Sequence, residues 1–125
     1  HYEHRNQAPY PGGYRDYAPH EVTIEEDSLL YETAGTTVLY GCPSWHHQAV
    51  KSVEGTNLSV TASTITEGVP IIEAVERVDK TFIVGIQYHP EAAVCKHLDH
   101  ADNENDFMNY RAAISVFYYI VNELD

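Results

Sequence analysis

A histidine and a glutamate stand two residues apart in His89-Pro90-Glu91, directly after an apolar run that ends at Ile86. Residues two apart on a strand share a face, so an extended backbone through Pro90 would bring the two side chains together. Proline favours this, because it keeps its predecessor away from helical angles. An imidazole beside a carboxylate is the base and orienting group of a nucleophile–base–orienter triad, with the nucleophile missing. The same spacing also fits a strand-end histidine that pairs with a surface glutamate.

A polar and aromatic cluster lies earlier in the chain and has no clear secondary-structure period. It consists of Ser44, Trp45, His46, His47 and Gln48. Serine, histidine and backbone groups supply the fixed donors and acceptors that a charged amino-acid head group needs. The cluster therefore predicts one wall of a small-molecule pocket. The alternative is a loop whose histidines bond only to nearby backbone.

Metal binding is the rival chemistry, because the chain has 8 histidines. Three places could each offer two ring nitrogens: His1 and His4, His46 and His47, and His97 and His100. The sequence has neither a His-Glu-x-x-His motif nor a Cys-x-x-Cys pair, and adjacent histidines on a strand would point apart. We therefore expect no functional metal and no cofactor.

The 2 cysteines, Cys42 and Cys95, do not form a disulfide framework. Neither follows an apolar strand into a glycine-flanked elbow. Both are expected to be inert structural thiols, although a displaced nucleophile stays open for either. Free thiols are typical of a reducing compartment, so a cytoplasmic location is the simpler expectation.

Composition narrows the class of protein. The 125 residues are 43% apolar, which suits one modest folded domain. A net charge of −12 argues against nucleic acid as a partner, since phosphate binding needs clustered Lys and Arg. No apolar run is long enough to span a membrane and no signal peptide is recognisable, so neither a membrane nor a secretory route is expected.

Periodicity predicts strands at residues 20–25, 36–40, 58–63, 71–77 and 82–87. A short helical turn is expected over 27–32, capped by Asp27 or Ser28 and ended by Gly35. The start of the chain, to Pro19, is rich in Tyr, Pro and Gly and is expected to be a loop.

A long amphipathic helix is predicted from Asn105 to Leu124. Its apolar residues recur every three or four positions and are expected to face the core: Phe107, Tyr110, Ile114, Phe117, Tyr118, Val121 and Leu124. The apolar run 82–86 suits a strand covered on both faces, which needs parallel neighbours and more helices than this chain provides. We therefore expect the chain alone to expose an apolar face and not to form a stable monomer.

Several segments, in this order, resemble the class I glutamine amidotransferase superfamily: 19–24, 28–30, 44–50, 72–76 and 84–91. The closer resemblance is to its gamma-glutamyl hydrolase branch, which includes the gamma-glutamyl-gamma-aminobutyrate hydrolases and is grouped as peptidase family C26. Two features depart from that family. The nucleophile elbow Gly-x-Cys-x-Gly is missing, and Pro43 stands where the family commonly has Asn.

The resemblance implies an α/β fold, the C-terminal half of a flavodoxin-like class I glutamine amidotransferase domain. It also implies a mixed sheet with a small antiparallel group and a C-terminal helix. Residues 1–125 would be the C-terminal part of a single domain, and the cysteine-bearing N-terminal half, on a separate chain or a missing segment, would be the partner. A homo-oligomer stays open.

The implied activity is hydrolysis of a gamma-glutamyl amide through a Cys-His-Glu triad. The resemblance makes His89 the base and Glu91 its orienter, and it makes residues 44–48 the lining of the gamma-glutamyl pocket. The leaving amine, and any channelling of ammonia to a partner, stay open. The alternative is a non-catalytic module that binds a glutamate-like ligand or a protein.

Overall fold

The computed structural model describes residues 18–44, 46, 48–80, 83–99 and 108–124. Within them the fold is α/β. The elements, in chain order, are β1 (Ala18–Ile24), α1 (Leu29–Ala34), β2 (Val38–Ser44), β3 (Leu58–Thr66), β4 (Val69–Arg77), β5 (Val84–Ile86), α2 (Pro90–Asp99) and α3 (Tyr110–Leu124). The strand at each predicted position is present, while a helix over 90–99 was not predicted.

The strands form one 5-stranded sheet in the order β2-β1-β3-β4-β5. Every pairing among these strands is antiparallel. The register shifts between His20 and Val22 in β1, and again around Ala62 in β3. Such irregularities bend a strand and increase its twist, so they favour a curled sheet over a flat one.

The curl brings the two edges of the sheet together at one end. The His89 N–H, which follows edge strand β5, donates to the Pro43 carbonyl of edge strand β2 at 2.9 Å. The Met108 N–H, just before α3, donates to the Gly41 carbonyl of β2 at 3.0 Å. These two bonds fix β2 against the segments that begin α2 and α3.

The buried core lies between the inner face of the sheet and the helices. It is built from small and medium apolar side chains: Val22, Ile24, Leu30, Leu39, Cys42, Ala62, Ala74, Tyr88, Ala93, Met108 and Ala113. Glu73, Glu76 and Ser44 are buried among these apolar residues. Burying a carboxylate without a partner is unfavourable in free energy, so the contacts of Glu73 and Glu76 are important for the fold.

Helix α1 spans Leu29–Ala34 and not 27–32, but its predicted cap at Ser28 and its predicted end at Gly35 are confirmed. The Ser28 hydroxyl accepts a hydrogen bond from the Tyr31 N–H at 3.0 Å, and Gly35, with φ of 72°, ends the helix in the left-handed region. A third contact comes from far along the chain. The Glu76 carboxylate on β4 accepts from the N–H groups of Leu29 at 2.8 Å and Leu30 at 3.3 Å.

Within the described residues, the predicted apolar stripe of the last helix does not face the core. Phe117 and Tyr118 are 40% and 63% exposed, and Tyr110 and Val121 are exposed as well. Helix α3 instead packs against α1 and α2, with Ala113 buried and Ala112 and Val116 half-buried. The period of the sequence identifies an apolar stripe but not the neighbour that covers it. Phe107 lies outside the described residues.

Strand β5 is shorter than predicted and less covered. It has 3 residues, and Gly85 and the preceding Ile83 are exposed while Val84 and Ile86 are half-buried. The described residues therefore do not cover it on both faces. None of the helices in the described ranges is long and apolar enough to cross a membrane.

We expect Glu76→Ala to lower the free energy of unfolding of the intact protein by roughly 1–3 kcal/mol, because two helix N–H groups lose a charged acceptor. Chemical denaturation with matched m-values measures this. Glu54→Ala, at an exposed loop position, is the control and should change stability little. Equal stabilities for the two variants would contradict the assignment of Glu76 as the cap that joins α1 to β4.

Candidate active site

His89 is held by its backbone at the junction of the sheet and α2. Its N–H donates to Pro43, and its carbonyl accepts from the Ala92 N–H at 3.1 Å. The residue thus precedes the first turn of α2 and is also bonded to the end of β2. Two independent elements therefore position its imidazole.

The predicted contact between His89 and Glu91 is present. His89 Nδ1 donates to Glu91 Oε1 at 2.6 Å, and the side chains are 40% and 58% exposed. The expected extended backbone through Pro90 is wrong, because Pro90 begins α2 and Glu91 lies in its first turn. Proline suits a first helical position, and an acid there complements the helix dipole. In the neutral ring, a proton on Nδ1 leaves Nε2 with the lone pair a general base needs.

His46 and the His89–Glu91 pair line one cavity of about 490 Å³. Most of the remaining wall is apolar and comes from α1, β5 and α3, including Leu29, Leu30, Val84, Ile86, Phe117 and Ile120. The cavity is thus mostly apolar with several polar groups in its wall, which also include Thr33, Gln87 and Tyr119. This arrangement is typical of small-molecule sites.

Of the other predicted pocket residues, the two that the structure describes do not line this cavity. Ser44 is completely buried, and its hydroxyl makes no hydrogen bond to any described residue. Gln48 is exposed, and its backbone carbonyl accepts a hydrogen bond from His46 Nδ1 at 2.9 Å. Trp45 and His47 lie outside the described residues. The structure therefore brings His46 together with His89 and Glu91, and it does not place Ser44 or Gln48 on the cavity wall.

Several groups around His46 shift its pKa in opposite directions. Burial lowers the pKa of His46 below its ordinary value, and the neighbouring His20 and His89 lower it further. Glu73 and the hydrogen bond to the Gln48 backbone carbonyl raise it. Because a carbonyl can only accept, the bond to Gln48 places a proton on Nδ1. The neutral ring therefore presents Nε2 as an acceptor, and the protonated ring presents it as a donor.

Sequence reasoning missed a buried contact between a histidine and a glutamate beside this site. His20 Nε2 on β1 lies 3.2 Å from Glu73 Oε1 on β4, with side chains 4% and 0% exposed. Tyr88, next to His89, is buried too, and burial, then Cys42 and Glu73, raise its pKa. The sequence did contain a signal for this contact, because Glu73 is an acidic residue within the apolar run of β4. Isolated charges seldom occupy buried strand positions.

Cys42 does not have the properties of a nucleophile. Its thiol is completely buried, and burial, followed by the charge of Glu73, raises its pKa. A nucleophilic cysteine needs an electropositive, accessible setting that lowers the pKa. The side chain of Cys95 lies outside the described residues. Among the described residues, no group of three or more His, Cys, Asp or Glu side chains could hold a metal.

Comparison with known proteins gives consistent results. Residues 1–91 match the family model described as Peptidase C26. The chain is 37% identical over 91 residues to "Protein NtpR" of Enterococcus hirae, covering 72% of this chain and 33% of the relative. It is 30% identical over 106 residues to "Putative glutamine amidotransferase-like protein RP404" of Rickettsia prowazekii, covering 85% of this chain and 34% of the relative. The chain thus spans about one third of the length of these curated relatives.

We expect the Cys42 thiol to resist alkylation in the folded protein at pH 8, reacting roughly 100-fold or more slowly than in denaturant, because reaction requires the thiolate. Iodoacetamide labelling of the intact protein, followed by quantification of the Cys42 peptide by mass spectrometry, measures the rate. The same protein in guanidinium chloride is the reference. Equal rates in the two conditions would show that Cys42 is accessible and ionisable.

Proposed function

Because the chain belongs to the peptidase C26 family, we propose that it serves the hydrolysis of a gamma-glutamyl amide bond by a Cys-His-Glu triad. His89 is the general base and Glu91 is its orienter. The family and the amidotransferase-like relative indicate a hydrolase or glutamine amidotransferase type of activity. The observation that carries the specific proposal is the 2.6 Å contact between His89 Nδ1 and Glu91 Oε1 at a cavity.

The proposed reaction uses the two nitrogens of His89 differently. Nδ1–H donates to Glu91, which holds the ring in one tautomer and stabilises the imidazolium. Nε2 takes the proton of a cysteine thiol as the thiolate attacks the gamma-carbonyl carbon. The resulting imidazolium then protonates the leaving amine as the thioester forms. Water then attacks the thioester carbonyl while His89 removes a proton from the water; the C–S bond breaks, the glutamyl carboxylate is released, and His89 returns the proton to the cysteine sulfur. General acid–base help of this kind contributes roughly 10²–10⁴-fold.

The nucleophile in this proposal comes from outside the described residues. Cys42 is excluded from the role by its burial and raised pKa. The proposed source is the N-terminal part of the same flavodoxin-like domain, on the same polypeptide or on a second one. The one-third coverage of both relatives supports this source. So does edge strand β5, which is paired within the described sheet only to β4.

The face that would receive this N-terminal part is the apolar side of the cavity together with α3. Val84, Ile86, Phe117 and Ile120 line the cavity, and Ile83, Tyr118 and Val121 are exposed nearby in sequence. An apolar surface of this kind is typical of an interaction site. We propose that it continues the core of the complete domain and that β5 gains a parallel neighbour there.

The substrate would bind where His46 and His89 meet in this cavity. We propose that His46 contacts the gamma-glutamyl head group, with Trp45, His47 and Gln48 completing the loop and Ser44 anchoring it at the end of β2. A cytoplasmic location belongs to the same proposal, based on the free thiol of Cys42. A non-catalytic module remains the second candidate, because no described cysteine can serve as the nucleophile.

We expect His89→Ala to lower kcat by roughly 10²–10⁴-fold in the intact protein, since the base is lost. Glu91→Gln should also lower kcat with little change in KM, because the amide can stabilise the wrong tautomer. Glu26→Gln, at an exposed position outside the cavity, is the control. The measurement is amine release from gamma-glutamyl amides. Activity unaffected by His89→Ala would refute the base assignment, and no activity in the parent protein would favour the non-catalytic module.

We expect Phe117→Asp to prevent association with the N-terminal part, because it places a charge in the proposed apolar interface. The two parts are co-expressed with an affinity tag on one, and the recovered complex is quantified. Tyr40→Asp is the matched control, since Tyr40 is 65% exposed on β2 and does not line the cavity. Equal loss of complex in both variants, or in neither, would place the interface elsewhere.

A further inference from the structure

The cavity beside His89 has a second wall that the proposed interface does not use. The N-terminal part is proposed to cover residues of β5 and α3, whereas α1 contributes Leu29, Leu30 and Thr33 to the same cavity. Leu29 is half-buried and Leu30 is 3% exposed. This α1 wall, which consists of Leu29, Leu30 and Thr33, is the part of the cavity that is left to a substrate group beyond the reacting bond.

The α1 wall is fixed to the strand that also positions His89. The Glu76 carboxylate on β4 accepts hydrogen bonds from the N–H groups of Leu29 and Leu30 at 2.8 and 3.3 Å. Earlier on the same strand, the Glu73 carbonyl accepts from the Gln87 N–H at 2.8 Å, just before His89 in the chain. Strand β4 therefore holds the wall in one position relative to the imidazole, and a wall that is already in place binds at a lower entropic cost.

The polar groups next to the α1 wall are already engaged within the chain. The Thr33 hydroxyl donates to the Leu29 carbonyl at 2.9 Å. Tyr119 of α3 also lines the cavity, and its hydroxyl donates to Glu32 of α1 at 3.3 Å. The surface that this wall offers to a ligand therefore consists mainly of the apolar side chains of Leu29 and Leu30.

The charges around the cavity are unfavourable for an anionic group at this wall. No described residue that lines the cavity is a lysine or an arginine, and Glu91 adds a carboxylate to it. The proposed function assigns His89 to the reacting bond and His46 to the glutamyl head group. A second carboxylate, on the leaving amine, would therefore meet apolar side chains without a counter-charge, which is unfavourable in free energy.

We propose that the α1 wall is the subsite for the leaving amine, with Leu29 as its specificity-determining residue, and that the substrate is a gamma-glutamyl amide of an apolar amine. This inference rests on the proposed function and names the leaving group. Hydrolysis breaks the amide C–N bond: the acyl carbon gains the oxygen of water and leaves as glutamate, and the amine leaves with a proton from His89. Contact of the amine's alkyl chain with Leu29 and Leu30 removes apolar surface from water, which favours binding.

The first test compares two gamma-glutamyl amides of nearly the same shape. The leaving amine is gamma-aminobutyrate in one and isohexylamine, in which an isopropyl group replaces the carboxylate, in the other. Amine release by the intact protein is measured for both. We expect kcat/KM to be roughly 10-fold or more higher for the isohexylamide, because an apolar pocket disfavours an unpaired charge and rewards each added methylene. An equal or higher kcat/KM for the gamma-aminobutyrate amide overturns the inference.

Variants of Leu29 test the subsite itself. Leu29→Ala should lower kcat/KM for the isohexylamide roughly 10-fold, because the wall loses methylene groups that contact the alkyl chain. Leu29→Lys supplies a counter-charge, so the preference for the isohexylamide should fall further or reverse. Val78→Lys is the matched control, since Val78 is 71% exposed and does not line the cavity. A preference that stays at its parent value in both Leu29 variants overturns the role of Leu29. Should Leu29→Lys not fold, Leu29→Ala decides.

Glutamine separates a lost subsite from a damaged protein. Its leaving group is ammonia, which does not reach the α1 wall, so kcat/KM for glutamine should change little in Leu29→Ala. An equal loss of kcat/KM for glutamine and for the isohexylamide shows that Leu29 supports the fold and not the leaving amine, and overturns the inference. Hydrolysis with the wrong preference overturns this inference alone, whereas a parent protein that hydrolyses none of the three amides overturns the proposed function and this inference with it.

Discussion

The closure of the curled sheet is the constraint on which the candidate site depends. The hydrogen bond from the His89 N–H to the Pro43 carbonyl joins the segments at its two edges, and the His20–Glu73 pair spans its interior. Without this closure His46 and His89 would lie at opposite ends of the sheet order. A single cavity lined by both residues exists because β2 and the start of α2 meet.

The buried pair also illustrates how position can be specified at the expense of stability. Burying two ionisable groups carries a desolvation penalty that their attraction seldom exceeds. Apolar residues of similar volume could fill the same space, but they would place no charge near His46. The Glu76 carboxylate on β4 also joins distant elements, because it adds to the local Ser28 cap at the start of α1. Glu73 and Glu76 thus each contact an element that is far away in sequence.

Sequence reasoning succeeded where a contact spans only a few residues. The pairing of His89 with Glu91 follows from their separation by one proline, and it survived an incorrect expectation about the backbone. The limits of α1 follow from Ser28 and Gly35, whose side chain and φ angle act locally. For α3 the same reasoning identified an apolar stripe, but within the described residues Ala112, Ala113 and Val116 make the packed face. Which face is covered depends on neighbours, and spacing contains no information about them.

The sequence by itself determined the residue types, the order of the strands along the chain and the local pairs, because backbone geometry links residues two to four apart. Only the tertiary structure decided that His20 meets Glu73, that His46 shares a cavity with His89, and that Cys42 is sealed in the core. Those outcomes depend on the bends in β1 and β3 and on the closure they permit. The His-Pro-Glu spacing predicts the contact between imidazole and carboxylate, whereas the curled sheet determines which other side chains share their cavity.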